Sequence, residues 1–407
     1  MKKDDQQAQY NLRVRNYGLV AALALALALA GCGSDDDDDV ASNDTGSDDT
    51  GSDAFNASEL LANSADNVIF GIYEEQATQA QEMEDAVNAL VDDPTSEKLQ
   101  TARAEWVDTR IFWERSESAL FGPVDSDGID PRIDEWPLDE SQLNQVLADE
   151  AGNIDEALID NLPNNLRGFH VVEFLLWSDS DSSNDVDDPN AGQDSLDTVV
   201  TALANNPDRA EYLKQATIDL RQQSDILRDA WTPDSDNFGS QLKTAGAEGN
   251  TTFASQSACV EQLIVAMITI ADEVGAGKIS DPFSQEDPLI VESKHSFNSR
   301  TDFKNNIRGI KHIYLGDFPF QSNGGEDGVG VTDVVQLIEP SIDEDIRSQI
   351  DFAIYQIDLI DQPFRDSITG DDPQRTEIQN AIDAVTDLRI KLEQNVRPLL
   401  DEVTFEQ

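Results

Sequence analysis

The pattern of apolar residues along the chain is helical from Glu59 onward. Apolar side chains recur at steps of three and four residues, which places them on one face of an amphipathic helix. The two clearest stripes are Ile69, Ile72, Tyr73, Met83, Val87, Leu90 and Val91, and then Leu99, Ala102, Trp106, Trp113 and Leu120. Further helical patterns follow near 163–177, 195–231, 250–275, 298–314, 343–361 and 374–402, without sustained two-residue alternation. The sequence therefore predicts an all-α fold built from helical bundles.

A short motif occurs once in each half of the chain and suggests an internal repeat. Residues 165–169 read N-L-R-G-F, and residues 306–310 read N-I-R-G-I. Each copy opens a helical pattern and is followed by one or more long helical patterns. We therefore predict two helical bundles related by a pseudo-repeat, over residues 57–240 and 241–407, each of ordinary domain size.

The beginning of the chain has the features of an export signal. Four basic residues precede an apolar run from Leu19 to Ala30, which is too short to span a bilayer. The run ends in L-A-G-C, which resembles the lipobox of bacterial lipoproteins and makes Cys32 the predicted site of lipid attachment. An ordinary secretory signal followed by an incidental cysteine is the alternative. Residues 1–31 are thus predicted to be a signal peptide.

The segment after the signal peptide is acidic and poor in apolar residues. Residues 32–56 cannot bury enough apolar surface to offset the entropy of ordering, so we predict a flexible tether. Gly33 stands where an aspartate would signal retention at the inner membrane, which favours the outer membrane, on either its periplasmic or its surface face. Lipid is the only evident membrane anchor, because no later apolar run is long enough to span a bilayer.

Composition narrows the class of partner. The chain has 27 basic and 82 acidic side chains, which gives a formal net charge of -55. This charge argues against nucleic acid or anionic lipid as a partner, and it suits the attraction of cations. The two cysteines are Cys32 and Cys259, and a lipidated Cys32 cannot pair, so no disulfide framework is expected.

The predicted helix over residues 166–177 carries the clearest candidate chemistry. It is apolar nearly all round except for His170 and Glu173, whose spacing of three residues places both side chains on one face. A buried carboxylate needs a cation, a metal or several hydrogen-bond donors as its partner. The two residues are therefore either part of a metal site or a core pair in which His170 satisfies Glu173.

A second predicted helix places charged residues on a core-facing stripe. Arg110 and Glu117 lie close to the row of tryptophans, and Glu114 stands on an adjoining row. Charged residues in such positions are unusual unless they are paired. Glu117 would complete a metal-ligand set with His170 and Glu173, and Arg110 would hold a carboxylate in place. The alternative is a structural salt bridge from Arg110 to Glu117 or Glu114.

These residues resemble the motifs of the imelysin-like proteins. Residues 168–173 read G-F-H-V-V-E and match the G-x-H-x-x-E motif of that family. Further matches are Trp106, Arg110, Glu117, Phe121-Gly122, Trp136-Pro137-Leu138, Glu292-Ser293, Ser296, Asn298, Asp302, Asn306, Gly309 and Tyr314-Leu315-Gly316. The resemblance spans most of the chain after the tether.

The resemblance implies a lipoprotein of the cell envelope that is tied to iron acquisition. His170 and Glu173 would belong to a metal or ligand site between helices, with Ser293 and Ser296 lining it. The implied cofactor is a metal ion, with iron expected, and the implied partner is iron or an iron-bearing ligand. The family also includes an insulin-cleaving membrane protease, so a metal-dependent peptidase is the alternative. The chain has no H-E-x-x-H and no G-x-S-x-G motif, which favours binding.

Overall fold

Helices account for nearly all of the secondary structure in the computed structural model of the chain. The structure describes residues 54–178, 194–233, 236–318 and 328–406. The predicted signal peptide, its lipid-attachment residue Cys32 and most of the predicted tether lie outside these residues. These three assignments therefore stay predictions.

The fold is all-α, as the sequence predicts. The α-helices are Ser58–Asn63, Phe70–Asp92, Ser96–Ser116, Pro123–Ser126, Asp130–Asp134, Glu140–Asp149, Glu156–Asp160, Gly168–Trp177, Leu196–Asn205, Pro207–Trp231, Phe238–Lys243, Gln256–Asp272, Ser280–Gln285, Ser299–Leu315, Val331–Ile338, Pro340–Leu359, Phe364–Ser367 and Asp372–Lys391. The π-helical segments are Ser64–Ile69, Glu273–Ile279 and Leu392–Val396, and the 3-10 segments are Glu117–Ala119, Asn164–Leu166, Pro288–Ile290 and Arg397–Glu402. Within the described ranges, β-type pairing is limited to an isolated bridge between Phe55 and Phe405.

Side-chain caps explain where many of these helices begin. A capping side chain accepts a hydrogen bond from a backbone N–H of the first turn, which has no partner within the helix. The capping residues are Thr95, Asp139, Asp155, Ser195, Asn206, Asn237, Ser255 and Asp371. Pro207 and Pro340 occupy the first position of their helices, where the fixed φ of proline is favourable. Local sequence thus determines these boundaries.

The helix Ser96–Ser116 is central to the packing. It contacts Phe70–Asp92 and Gly168–Trp177 from the first half of the chain, and Ser299–Leu315 from the second half. The predicted stripe of this helix is fully buried at Leu99, Ala102, Trp106 and Trp113. None of the described helices is both long and apolar enough to cross a membrane.

Helices from both halves of the chain share this core. Ala54–Gln407 forms one compact unit, within which Ser96–Ser116 packs directly on Ser299–Leu315. The division into bundles over residues 57–240 and 241–407 stays a prediction, because this packing does not itself mark a boundary.

The two copies of the N-x-R-G motif have different local structures, so the internal repeat is not confirmed. Gly168 begins a helix with a φ of +75°, whereas Gly309 lies inside a helix. Each glycine packs against a neighbouring backbone. A Cβ atom on Gly168 would collide with the carbonyl oxygen of Ile133, and one on Gly309 would collide with that of Arg115. Close backbone contact therefore accounts for the glycine in both copies.

Replacing Gly309 with alanine is expected to destabilise the protein. The new methyl group would press on the carbonyl of Arg115, which is part of the central helix and cannot shift alone. We expect the free energy of unfolding to fall by about 1 to 3 kcal/mol, as for other overpacked sites. The measurement is urea unfolding followed by circular dichroism. Gly277→Ala is the control, because an added Cβ atom there has nothing within 4 Å. Equal stability of the two variants would contradict the conclusion that Gly309 is required by its close contact with the backbone of Arg115.

Candidate metal centre

Segments that are distant in the sequence meet at a buried polar centre. They are the central helix, the end of the short helix Asp130–Asp134, the helix Gly168–Trp177 and the loop over residues 291–298. The side chains that they supply are Arg110, Glu114, Asp134, His170, Glu173, Glu292 and Ser296. Charged groups this far from water need partners, and here they find them in one another.

His170 faces two carboxylates with its Nε2 atom. Nε2 lies 3.1 Å from Asp134 Oδ1 and 3.9 Å from Glu292 Oε1. The three residues offer ligand atoms that all lie within 4.8 Å of one another. The three side chains are 1%, 5% and 7% exposed, so this group is screened from solvent. It could hold a metal ion.

Glu173 holds the other side of the His170 ring. Its Oε2 atom lies 3.4 Å from Nδ1 of His170. Its Oε1 atom accepts three hydrogen bonds, from the backbone N–H of His295 at 3.0 Å and from the N–H and Oγ of Ser296, both at 2.7 Å. Glu173 is therefore anchored by the loop and directs the ring, so that Nε2 faces Asp134 and Glu292.

These contacts change the ionisation of the pair. Burial disfavours the charged imidazole, but contact with Asp134 and Glu173 outweighs burial and raises the pKa of His170 to about 9. Burial likewise disfavours the Glu173 carboxylate, but the hydrogen bonds from His170 and from the backbone of Ser296 lower the pKa of Glu173 to about 2. Without a metal, the centre therefore holds an imidazolium between carboxylates at neutral pH.

The loop over residues 291–298 is bent so that its backbone points inward. Ser293 and Phe297 have φ values of 51° and 62°, in the left-handed region that non-glycine residues rarely adopt. The carbonyl of Ser293 accepts hydrogen bonds from the backbone N–H of Phe297 at 3.0 Å and from Ser296 Oγ at 3.4 Å. Of the two serines that the sequence suggested, Ser296 contacts Glu173 directly, and Ser293 shapes the turn.

Arg110 links the carboxylates of the centre. Its guanidinium is fully buried and lies 2.6 Å from both Glu114 Oε1 and Glu292 Oε1, and it also pairs with Asp134. Burial disfavours this charge, but the surrounding carboxylates outweigh burial and raise the pKa of Arg110 well above its ordinary value. The structure thus contains the salt bridge to Glu114 that the sequence offered as an alternative. Arg110 also fixes the positions of Asp134 and Glu292.

Glu117 lies in an adjoining group of carboxylates rather than against His170. Its Oε2 atom is 2.8 Å from Lys278 Nζ and accepts a hydrogen bond from Asn306 Nδ2 at 2.6 Å. Lys278 is also 3.2 Å from Glu114 Oε2. The structure therefore brings His170 and Glu173 together as predicted, and it places Glu117 next to Lys278. The predicted ligand role of Glu117 stays a prediction.

The sequence reasoning did not assign Asp134, Glu292 or Lys278 to the centre, although Glu292 is among the residues that match the family motifs. Asp134 and Glu292 lie in short segments without helical periodicity, and Lys278 follows two glycines in a stretch that reads as irregular. Trp136 matches a family motif, but the motif does not show that its ring lies against His170. Its ring packs on His170 with 4.6 Å between ring centroids. The usable signals were Glu292, which is itself part of a motif match, and Asp134, which lies two positions ahead of Trp136.

Fold and site together define an all-helical protein with a buried histidine–carboxylate centre. The family model Peptidase_M75, described as Imelysin, matches residues 70–392. The chain therefore belongs to the imelysin family, as its motifs predicted.

One sequence relative and two solved structures are similar to this chain. Iron-regulated protein A of Synechococcus elongatus is 26% identical over 354 residues, which cover 85% of this chain and 88% of that protein. The crystal structure of a candidate iron-regulated protein A precursor from Parabacteroides distasonis is 27% identical, with a TM-score of 0.69 over 84% of this chain and 94% of that chain. An imelysin-like protein from Psychrobacter arcticum shares the fold at 13% identity, with a TM-score of 0.63 over 84% and 95% of the two chains.

Removing the guanidinium of Arg110 is expected to destabilise the fold strongly. Arg110→Met would leave the carboxylates of Glu114, Asp134 and Glu292 buried without their shared cation. We expect the free energy of unfolding at pH 7 to fall by about 3 to 5 kcal/mol, measured by urea unfolding without added metal.

The matched control is Arg397→Met. Arg397 pairs with Glu261, but the two side chains are 43% and 44% exposed, so the loss should stay below about 1 kcal/mol. An Arg110→Met protein as stable as this control would show that the centre does not depend on its buried cation.

Proposed function

We propose that this imelysin-family protein binds a metal ion, with iron as its physiological metal, through His170, Asp134 and Glu292. The observation that carries the proposal is the convergence of one imidazole nitrogen and two carboxylate oxygens within 4.8 Å in a nearly dry centre. Ligand atoms around one metal ion lie roughly 3 Å apart. His170 Nε2 and Asp134 Oδ1 already have that spacing, and Glu292 needs to move by about 1 Å.

The charge of the centre supports a cation as ligand. Carboxylates outnumber the buried cations Arg110, Lys278 and His170. The carboxylates are Glu114, Glu117, Asp134, Glu173, Glu292 and Asp302. Burial and neighbouring carboxylates raise the pKa of Glu117, Glu292 and Asp302. A further positive charge would favour the ionised form of these groups and offset their repulsion. In addition, Glu292 Oε2 is buried and has no hydrogen-bond partner among the described residues, so the centre has acceptor capacity to spare.

The donor set favours iron over structural zinc. One imidazole and two carboxylates are mostly hard ligands, and three protein ligands leave coordination positions open for water or for the donor atoms of an iron-bearing ligand. Two similar proteins carry the name iron-regulated protein A, which links this family to iron. The anionic chain would also raise the local concentration of cations.

In this proposal Glu173 is a positioning residue rather than a ligand. One of its oxygens is saturated by three donors and the other faces Nδ1 of His170. This arrangement also weakens the peptidase alternative, because Glu173 is not free to act as a general base on a metal-bound water. The geometry therefore supports iron binding best, and such binding would serve to capture or transfer iron.

Metal analysis of purified variants tests the ligand assignment. The tag-free protein, prepared without chelator and incubated anaerobically with Fe²⁺, is expected to retain one iron per chain after gel filtration. His170→Ala, Asp134→Asn and Glu292→Gln should lose stoichiometric iron, because each removes a ligand atom. Glu173→Gln should keep the site but weaken affinity by about 10 to 100-fold, the usual effect of losing support behind a ligand.

His312→Ala is the matched control for this experiment. His312 contacts Asp317 rather than the centre, so its loss should leave the iron content unchanged. Unchanged iron in His170→Ala would remove the basis of the proposal.

We further propose that the chain is an exported lipoprotein attached to the outer membrane through Cys32. The supporting observations are the basic and apolar leader and the L-A-G-C sequence at its end. Cys32→Ser should abolish incorporation of a labelled fatty acid in the bacterial host and release the protein from the membrane fraction. Cys259→Ser is the control, because Cys259 is fully buried in the helix Gln256–Asp272. Equal labelling of Cys32→Ser and the native chain would contradict the anchor.

A further inference from the structure

A second carboxylate group lies directly beside the proposed metal centre. It surrounds the ammonium group of Lys278, whose Nζ atom is 2.8 Å from Glu117 Oε2, 3.2 Å from Glu114 Oε2 and 3.4 Å from Glu292 Oε1. The Lys278 side chain is 9% exposed, and the three carboxylates are 0% to 7% exposed. An ammonium group thus occupies a nearly dry site among three carboxyl groups.

Glu292 joins this group to the first centre. The same Oε1 atom is 3.4 Å from Lys278 Nζ, 3.9 Å from His170 Nε2 and 2.6 Å from Arg110 Nη2. A carboxylate between two cation positions is the arrangement found where two metal ions share a site. Here the ammonium group fills one of the two positions.

The group also contains buried oxygen atoms that accept no hydrogen bond from Lys278 or from another described residue. Asn306 is fully buried and donates from Nδ2 to Glu114 Oε2 at 2.7 Å and to Glu117 Oε2 at 2.6 Å. Its own Oδ1 atom, and the Oε2 atom of Glu292, have no hydrogen-bond partner among the described residues. Buried oxygen atoms of this kind next to carboxylates are ligands for a hard metal ion.

Helix geometry explains how Lys278 reaches this position. Lys278 lies in the π-helical segment Glu273–Ile279, at the end of the long helix Gln256–Asp272. The wider turn of a π-helix makes residues five apart near neighbours on one face, and such turns are frequent at functional sites. Glu273 and Lys278 have this spacing, and Lys278 points inward to the carboxyl groups of Glu114, Glu117 and Glu292.

We propose that Glu114, Glu117 and Glu292 form a second cation subsite, that the ammonium group of Lys278 occupies it, and that Lys278 thereby limits the protein to one bound metal ion. The proposal rests on the proposed function for the first ion and for the role of Glu292. A ligand set of carboxylate oxygens suits a hard, oxygen-preferring ion such as Mn²⁺ or an iron ion.

The test is the Mn²⁺ stoichiometry of the full protein, measured by equilibrium dialysis and by electron paramagnetic resonance. Wild type is expected to bind one Mn²⁺ per chain. Lys278→Ala is expected to bind two, with a spin-coupled signal because Glu292 would bridge the ions. Lys243→Ala is the control, since Lys243 pairs with Asp66 away from the centre, and it should bind one.

Double variants identify the second position. Glu117→Gln combined with Lys278→Ala should return the stoichiometry to one, because the second ion loses a ligand. His170→Ala combined with Lys278→Ala should also bind one ion, now without spin coupling. A folded Lys278→Ala protein that binds only as much Mn²⁺ as wild type would overturn the proposal.

The outcomes separate this proposal from the proposed function. One ion in both wild type and Lys278→Ala leaves the first site standing and refutes the second. No ion in wild type but one in Lys278→Ala, lost with Glu117→Gln, supports the second subsite and refutes the first.

A second variant covers the case in which Lys278→Ala does not fold. Lys278→Met keeps the buried methylene groups and removes only the charge. Its melting temperature should rise more steeply with Mn²⁺ concentration than that of wild type, because it has an additional site for the ion. Equal Mn²⁺ dependence in the two proteins would contradict the subsite.

Discussion

The buried guanidinium of Arg110 is the interaction on which the centre depends. It binds carboxylates from its own helix, from the helix that ends at Asp134 and from the loop at Glu292. Taking one arginine and three carboxylates out of water is costly, and Coulomb attraction repays that cost only when the geometry is good. A group of this kind is weak evidence for stability alone. Its better explanation is that it fixes the distances between ligands contributed by distant segments.

On that explanation, Arg110 and Lys278 act together to position the carboxyl groups of the centre. Arg110 holds Asp134 and Glu292 beside His170, and Lys278 contacts the same oxygen atom of Glu292 as Arg110 does. Both cations orient the carboxyl groups that they contact, which lowers the reorganisation needed when a metal ion binds. The remaining excess of negative charge is what a metal ion would offset. Trp136 covers the histidine ring and limits access of water, so the electrostatic interactions inside stay strong.

Much of the fold could be predicted from the sequence, because its signals are local. Helix periodicity and side-chain caps act within a few residues, and the buried stripe of Ser96–Ser116 is where the pattern placed it. The pair His170 and Glu173 was recognisable for the same reason, since charged residues on an all-apolar helix stand out. The G-x-H-x-x-E motif added the family, and the family model confirmed it.

The rest of the site could not be predicted, because it depends on tertiary contacts between non-periodic segments. Asp134 ends a short helix and Glu292 lies in a loop, so neither departs from a periodic pattern. The family motif includes Glu292, but it does not show that Glu292 faces His170. Glu117 was recognisable as a charged residue near the core-facing stripe, but its contact with Lys278 was not, because that contact is tertiary.

The contacts of Glu173 indicate what the glutamate of the G-x-H-x-x-E motif does. A carboxylate three residues after a histidine can ligate a metal beside it or support the ring from behind. Here the loop over residues 291–298 adopts two left-handed residues to deliver three donors to one oxygen of Glu173. Backbone strain of that kind persists only where the surrounding structure enforces it. It is most simply explained if the loop fixes Glu173, Glu173 fixes the ring, and the free edge of the ring faces the metal.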